Sequence, residues 1–289
     1  MTASYRPIFL MLGFVITWTA TETIVGTLLN RYPTFQVVWL HYLTLLMMWV
    51  AIIAIRAPGT LVRTQKPVTQ IFRAVFLLLM PVSWAFAVRS GFGHTVNAAF
   101  WAAPILVILF SALLLKERPG VVTFLAATVG SIAAILIYAH GPIPVGLVWF
   151  AVLAMPVSFS LFLVLSRSLR SETIMANLFY LTAGIVIILS PFIPFIWVAL
   201  ELQHILHFAI TGVLGLVALS LLNRAAFEAS LVPTAPLLLV PVPLAILVGW
   251  LTSNGGYNSY SFLLLAIICV ACAIPLITAL NASLKRNNP

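Results

Sequence analysis

All five acidic residues of this 289-residue chain are glutamates, and Glu22 stands apart from the other four. Glu117, Glu172, Glu201 and Glu228 fall near the ends of apolar runs, where an acid meets neighbouring cations: Glu117 beside Lys116 and Arg118, Glu228 one helical turn after Arg224. Glu22 lies inside the run from residue 8 to 29, ~21 Å from one end and ~10 Å from the other at ~1.5 Å per residue. A charge at such depth costs at least ~2.5 kcal/mol to insert, so an intramembrane acid marks a proton or ligand site and calls for a named partner. His41, ~9 Å into the next run, lies at matching depth and is the expected partner. The same pair also fits a structural reading, a Glu–His hydrogen bond that holds two helices together.

Trp18 precedes Glu22 by four residues and shares its helix face. Trp84, and Asn97 with Trp101 one turn apart, fall at the same depth. Aromatic rings around one acid suit an amine or quaternary ammonium group, each desolvated cation–π contact being worth ~0.5–2 kcal/mol. Trp84 equally fits an interfacial belt, to which Trp39, Trp149 and Trp197 are assigned. Thr17, Thr19, Thr21 and Thr23 have hydroxyls that can bond their own backbone without any ligand. Ser158, with Ser160, is the pseudo-symmetric candidate for substrate contact in the sixth run, although packing against small residues also accounts for both. Pro104 and Pro241 are the candidate hinges, each removing a backbone donor from an apolar run; a fixed kink accounts for them equally well. His204-x-x-His207 lacks a third ligand, and Cys269-x-x-Cys272 lies in an apolar run where a thiol is inert, so neither metal nor cofactor is expected.

The elements that must hold these residues follow from composition. The chain is 63% apolar and 7% charged, with mean hydropathy +1.18. That is a membrane composition. Ten apolar runs are long enough to span about 30 Å of hydrocarbon, at roughly 8–29, 35–55, 70–89, 94–115, 120–139, 145–166, 173–197, 204–222, 229–251 and 261–283. The expected fold is an all-α, multi-pass protein of the inner membrane whose connections are too short for a separate soluble domain. A net charge of +9 raises nucleic-acid binding, but the basic residues sit singly between apolar runs rather than on one face. They fix orientation instead. With both termini in the cytoplasm, only Arg31 and Arg89 of the 14 Lys and Arg residues fall outside.

The chain also repeats itself. Pro104 is followed thirteen residues later by Glu117, and Pro241 thirteen residues later by Asn254, each before a short turn and another apolar run. Five spans per unit is odd, so the second unit must enter from the opposite side, giving inverted five-helix repeats of 1–140 and 141–289. Such repeats are typical of secondary transporters, which hold substrate near the midplane. A stripe of Ala126, Gly130 and Ala134 permits close helix contact and serves either an internal seam or a dimer, leaving monomer and homodimer both open.

Residues Asn97 to Pro104, then Leu115-Lys116-Glu117-Arg118 and the run from Ala127 to Tyr138 with Gly130, resemble the signature of the drug/metabolite transporter superfamily, EamA-like branch. The second half resembles it through Ala229-Ser230, Pro241, Gly249 and Trp250, with Asn254 in place of the family's Glu. His41 replaces an Arg frequent in relatives, and Glu22 is an unusual acid in the first span. The resemblance implies a ten-helix carrier of small metabolites, often an exporter. The resulting expectation is a secondary transporter, proton-coupled through Glu22 and His41 or working by exchange, with no enzymatic activity. An integral-membrane enzyme would need paired acids or a Gly-x-Ser-x-Gly elbow, and neither is present. A non-transporting subunit would be favoured by a fully packed interior.

Overall fold

The computed structural model describes residues 5–56, 63–252 and 259–287; Asn254 lies outside them. Those residues form helices and connecting turns, with no strand among them. In order they are α1 (Arg6–Leu29), α2 (Thr34–Arg56), α3 (Pro67–Arg89), α4 (Gly93–Phe100), α5 (Ala103–Leu115), α6 (Val121–Tyr138), α7 (Val148–Ser168), α8 (Ile174–Leu189), α9 (Ile193–Ile196), α10 (Leu202–Glu228), a 3-10 turn (Ala235–Leu239), α11 (Pro241–Thr252) and α12 (Ser259–Asn287).

Seven of these helices are long and apolar enough to cross a membrane, and α4 with α5 makes an eighth if the pair, bent by 48°, is one span. Ile174–Leu189 and Ala235–Val248 are apolar but shorter. The bend has a local cause. Trp101 and Ala102 leave the helix, and Pro104, which lacks an N–H, restarts it in the first turn of α5, where no donor is missed. Pro241 restarts α11 in the same way after the 3-10 turn.

The halves are packed through each other. α1 lies along α10 and α3 along α7 as the most extensive pairs, while α6 pairs with α12 and α2 with α8. Missing side chains make the close approaches possible. A Cβ on Gly130 would come within 2.5 Å of Leu239 and 2.8 Å of Ala271, one on Gly184 within 2.9 Å of Ala74, and one on Gly13 within 3.0 Å of Leu221. The stripe Ala126, Gly130 and Ala134 is therefore an internal seam against α12 and the 3-10 turn.

Candidate functional site

α1 carries two distinct faces. Phe9, Ile16, Thr23 and Thr27 form the exposed one. Ile8, Met11, Val15, Trp18 and Glu22 recur at the helical period on the other, which faces the bundle. Along this inward face exposure rises from buried Ile8, Met11 and Val15 through half-buried Trp18 to exposed Glu22. A Cβ on Gly26, one turn further, would meet nothing within 4 Å. We call this open end of the inward face, at Glu22 and Gly26, the vestibule.

The floor of the vestibule is aromatic. A cavity of about 30 Å³ is lined by Trp18 and Phe14 of α1, Phe100 and Trp101 at the α4–α5 break, Phe159 of α7, and both restarting prolines, Pro104 and Pro241. Room for one or two waters is all that remains there. Trp101 is buried and stacks on Tyr138 with ring centroids 5.8 Å apart. Trp18 packs on Phe14 at 5.8 Å. Asn97, exposed one turn before Trp101, accepts a 3.0 Å hydrogen bond from the indole N–H of Trp84, which joins α3 to α4.

The structure thus brings Trp18 and Trp101 to one cavity and ties Trp84 to Asn97, but it does not join His41 to Glu22. His41 is buried against α10, where a Cβ on Gly215 would come within 2.8 Å of its ring, and its Nδ1 has no hydrogen-bond partner. Equal depth does not fix the direction a side chain takes around its helix. Glu22 makes no hydrogen bond or ion pair with another described residue. Ser158 is buried and bonds back to the Met155 carbonyl at 3.0 Å. Its neighbour Phe159 faces the cavity, and Ser160 donates to the Ala103 carbonyl at the break, 3.1 Å away. The threonines of α1 all bond their own backbone, as at Thr17 to Gly13 (2.6 Å) and Thr21 to Thr17 (2.9 Å).

At the opposite face of the bundle, where α1 begins, the helices are tied together. Arg167 of α7 holds Glu117 at 3.2 Å, and Ser230 donates to the second Glu117 oxygen. The same guanidinium donates to the carbonyls of Ala226 and Phe227 at the end of α10. This clasp joins α5, α7 and α10 across both halves. Lys116, in the left-handed conformation at φ 54°, turns the chain so that Glu117 faces Arg167 rather than its sequence neighbours. Glu228 pairs with Arg6 at 3.2 Å, leaving Arg224.

His204 accepts or donates a 2.9 Å hydrogen bond with the Tyr32 hydroxyl, and no group of three or more His, Cys, Asp or Glu side chains suited to a metal ion comes together among the described residues.

Comparison with known proteins follows this geometry. A solved chain described only as "Crystal structure of protein" superposes with a TM-score of 0.80 at 15% sequence identity, over 98% of this chain and 99% of that chain, a likeness of fold. No curated protein matches in sequence. Residues 6–139, which contain Trp18, Glu22, Asn97, Trp101 and the Glu117 end of the clasp, match the EamA-like transporter family, a likeness that extends over a little under half of the chain.

Proposed function

We propose that this protein is a secondary active transporter of the inner membrane, exporting or exchanging a small cationic or zwitterionic metabolite by alternating access. The observation that carries this reading is Glu22: an acid on the inward face of α1, accessible from one side, above an aromatic floor lined by the prolines of both helix breaks. A cation entering the vestibule meets the carboxylate first and the rings of Trp18 and Trp101 below it. Trp84 and Asn97 supply polar groups on the opposite wall. Ser158 belongs to this reading through its helix, α7, which contributes Phe159 to the cavity.

Ten spans are reached if α8 and the 3-10 turn with α11 each cross the bilayer. The pairings support inverted repeats of 1–140 and 141–289: exchanging the halves turns the α1–α10 pair into α7–α3, and leaves α6–α12 and α2–α8 unchanged. The charge pattern puts the clasped face, with both termini, in the cytoplasm. The vestibule then opens outward, and Pro104 and Pro241 are the bending points at which access alternates. Glu22 carries the coupling proton, and His41 is a second titratable group on the same level.

Substrate is identified by screening labelled amines, amino acids and nucleosides for uptake into proteoliposomes. With that substrate, Glu22→Gln, which keeps size but cannot titrate, abolishes uphill proton-coupled transport and retains substrate-for-substrate exchange. Wild-type accumulation with unchanged pH dependence in this variant overturns the role of Glu22.

A further inference from the structure

A second feature lies on the lipid-facing side. Between α2 and α10, in the half of the bundle near the clasp, runs a groove of about 550 Å³. Its walls are Trp49, Ile52 and Ile55 on one side and Leu216 and Leu221 on the other, with Ser220 and Arg224 following one another at a helical turn along α10. The Trp49 ring is held in place by a 3.2 Å hydrogen bond from its N–H to the Met175 carbonyl. Arg224 is exposed and makes no hydrogen bond or ion pair with another described residue, because Glu228, the acid one turn on, is taken by Arg6. No acid lines the groove.

An apolar channel that ends in an unpaired guanidinium at the level of the helix ends has the charge distribution of one occupant. We propose that the groove binds an anionic phospholipid, an acyl chain lying along Trp49, Ile55 and Leu216 and the phosphate meeting Arg224 and the Ser220 hydroxyl. A zwitterionic lipid fits the apolar part equally but gains less at Arg224, where one basic side chain near the surface contributes about a five-fold preference for negative charge. Arginine suits the role, since its planar fork binds phosphate through two parallel hydrogen bonds. This site is separate from the vestibule and does not depend on what is transported.

The test uses the full-length protein in detergent, titrated with phosphatidylglycerol or phosphatidylcholine and followed by native mass spectrometry and by thermal unfolding. Phosphatidylglycerol is expected to occupy one site about five-fold more tightly, and Arg224→Gln to equalise the two lipids without changing lipid-free stability. Val217→Trp, which fills the groove, should weaken both. Glycerol phosphate, the same charge without chains, should not compete. Equal retention of the two lipids, an undiminished preference in Arg224→Gln, or full competition by glycerol phosphate overturns the proposal.

Discussion

The seam of α2 with the segment ahead of α10 and the seam of α8 with α3 are built with unequal care. Where α2 starts, Gln36 is fully buried and forms two hydrogen bonds with the Val198 backbone ahead of α10, accepting at 2.8 Å and donating at 2.7 Å, and the Tyr32 hydroxyl accepts from the Glu201 N–H at 3.1 Å. Where α8 starts, Asn177 faces α3 and receives Gln70, while Arg73 donates to its carbonyl at 2.9 Å. Here the account does not close. Arg73 is fully buried with Nε and one terminal nitrogen unpartnered, resting over the Phe162 ring at 5.8 Å, and Gln70 leaves an acceptor unused. No carboxylate answers the guanidinium. The first seam is a finished joint; the second leaves buried polar atoms unpartnered among the described residues, and the ion-paired tie that α7 makes on this face is the Arg167–Glu117 clasp.

The largest effect should therefore come from the clasp. Glu117→Ala leaves Arg167, only 11% exposed, without its anion, and is expected to cost about 3 kcal/mol in thermal unfolding. It should also make a cysteine introduced at Ser166, buried beside the clasp, reactive to maleimide. Unchanged reactivity separates the clasp from closure of this face. Gln36→Ala should cost about 2 kcal/mol, because it removes two hydrogen bonds, each worth about 1 kcal/mol, that a fully buried amide makes to the Val198 backbone. Arg73→Met should change stability by less than about 1 kcal/mol, since an unanswered buried charge is replaced by a chain that packs. A loss as large as that for Gln36→Ala would show that Arg73 has found partners and that the two seams are equals.

The first two spans were legible because hydrocarbon thickness fixes how long an apolar run must be, and the intervals 8–29 and 35–55 agree with α1 and α2 to within two residues at each end; of the ten expected runs, seven or eight are long and apolar enough to cross among the described residues. The breaks were legible too, since Pro104 and Pro241 act locally. Side-chain direction was not readable: the His41 ring turns onto Gly215 of α10, and no contact joins it to Glu22. Ion pairing was misread for the same reason. Glu117 and Glu228 have cations within one turn, yet they bind Arg167 and Arg6, brought in by packing from other helices. Arg73 was counted with the cytoplasmic cations although it falls inside the third apolar run, 70–89; Pro67, a preferred first residue of a helix, was the signal that the helix starts earlier still and carries Arg73 into the packed bundle.

The contact at Gly130 has a mechanical consequence. The Leu239 and Ala271 side chains come so close to Gly130 that a methyl group there would have to displace them, so α6 and α12 meet at this point with only a hydrogen atom between them and the backbone of α6. Leu239 ends the 3-10 turn just before Pro241, so the break in the chain packs directly on this pair, and the fit of α6 against α12 and the placing of the restarted helix are set by the same missing side chain.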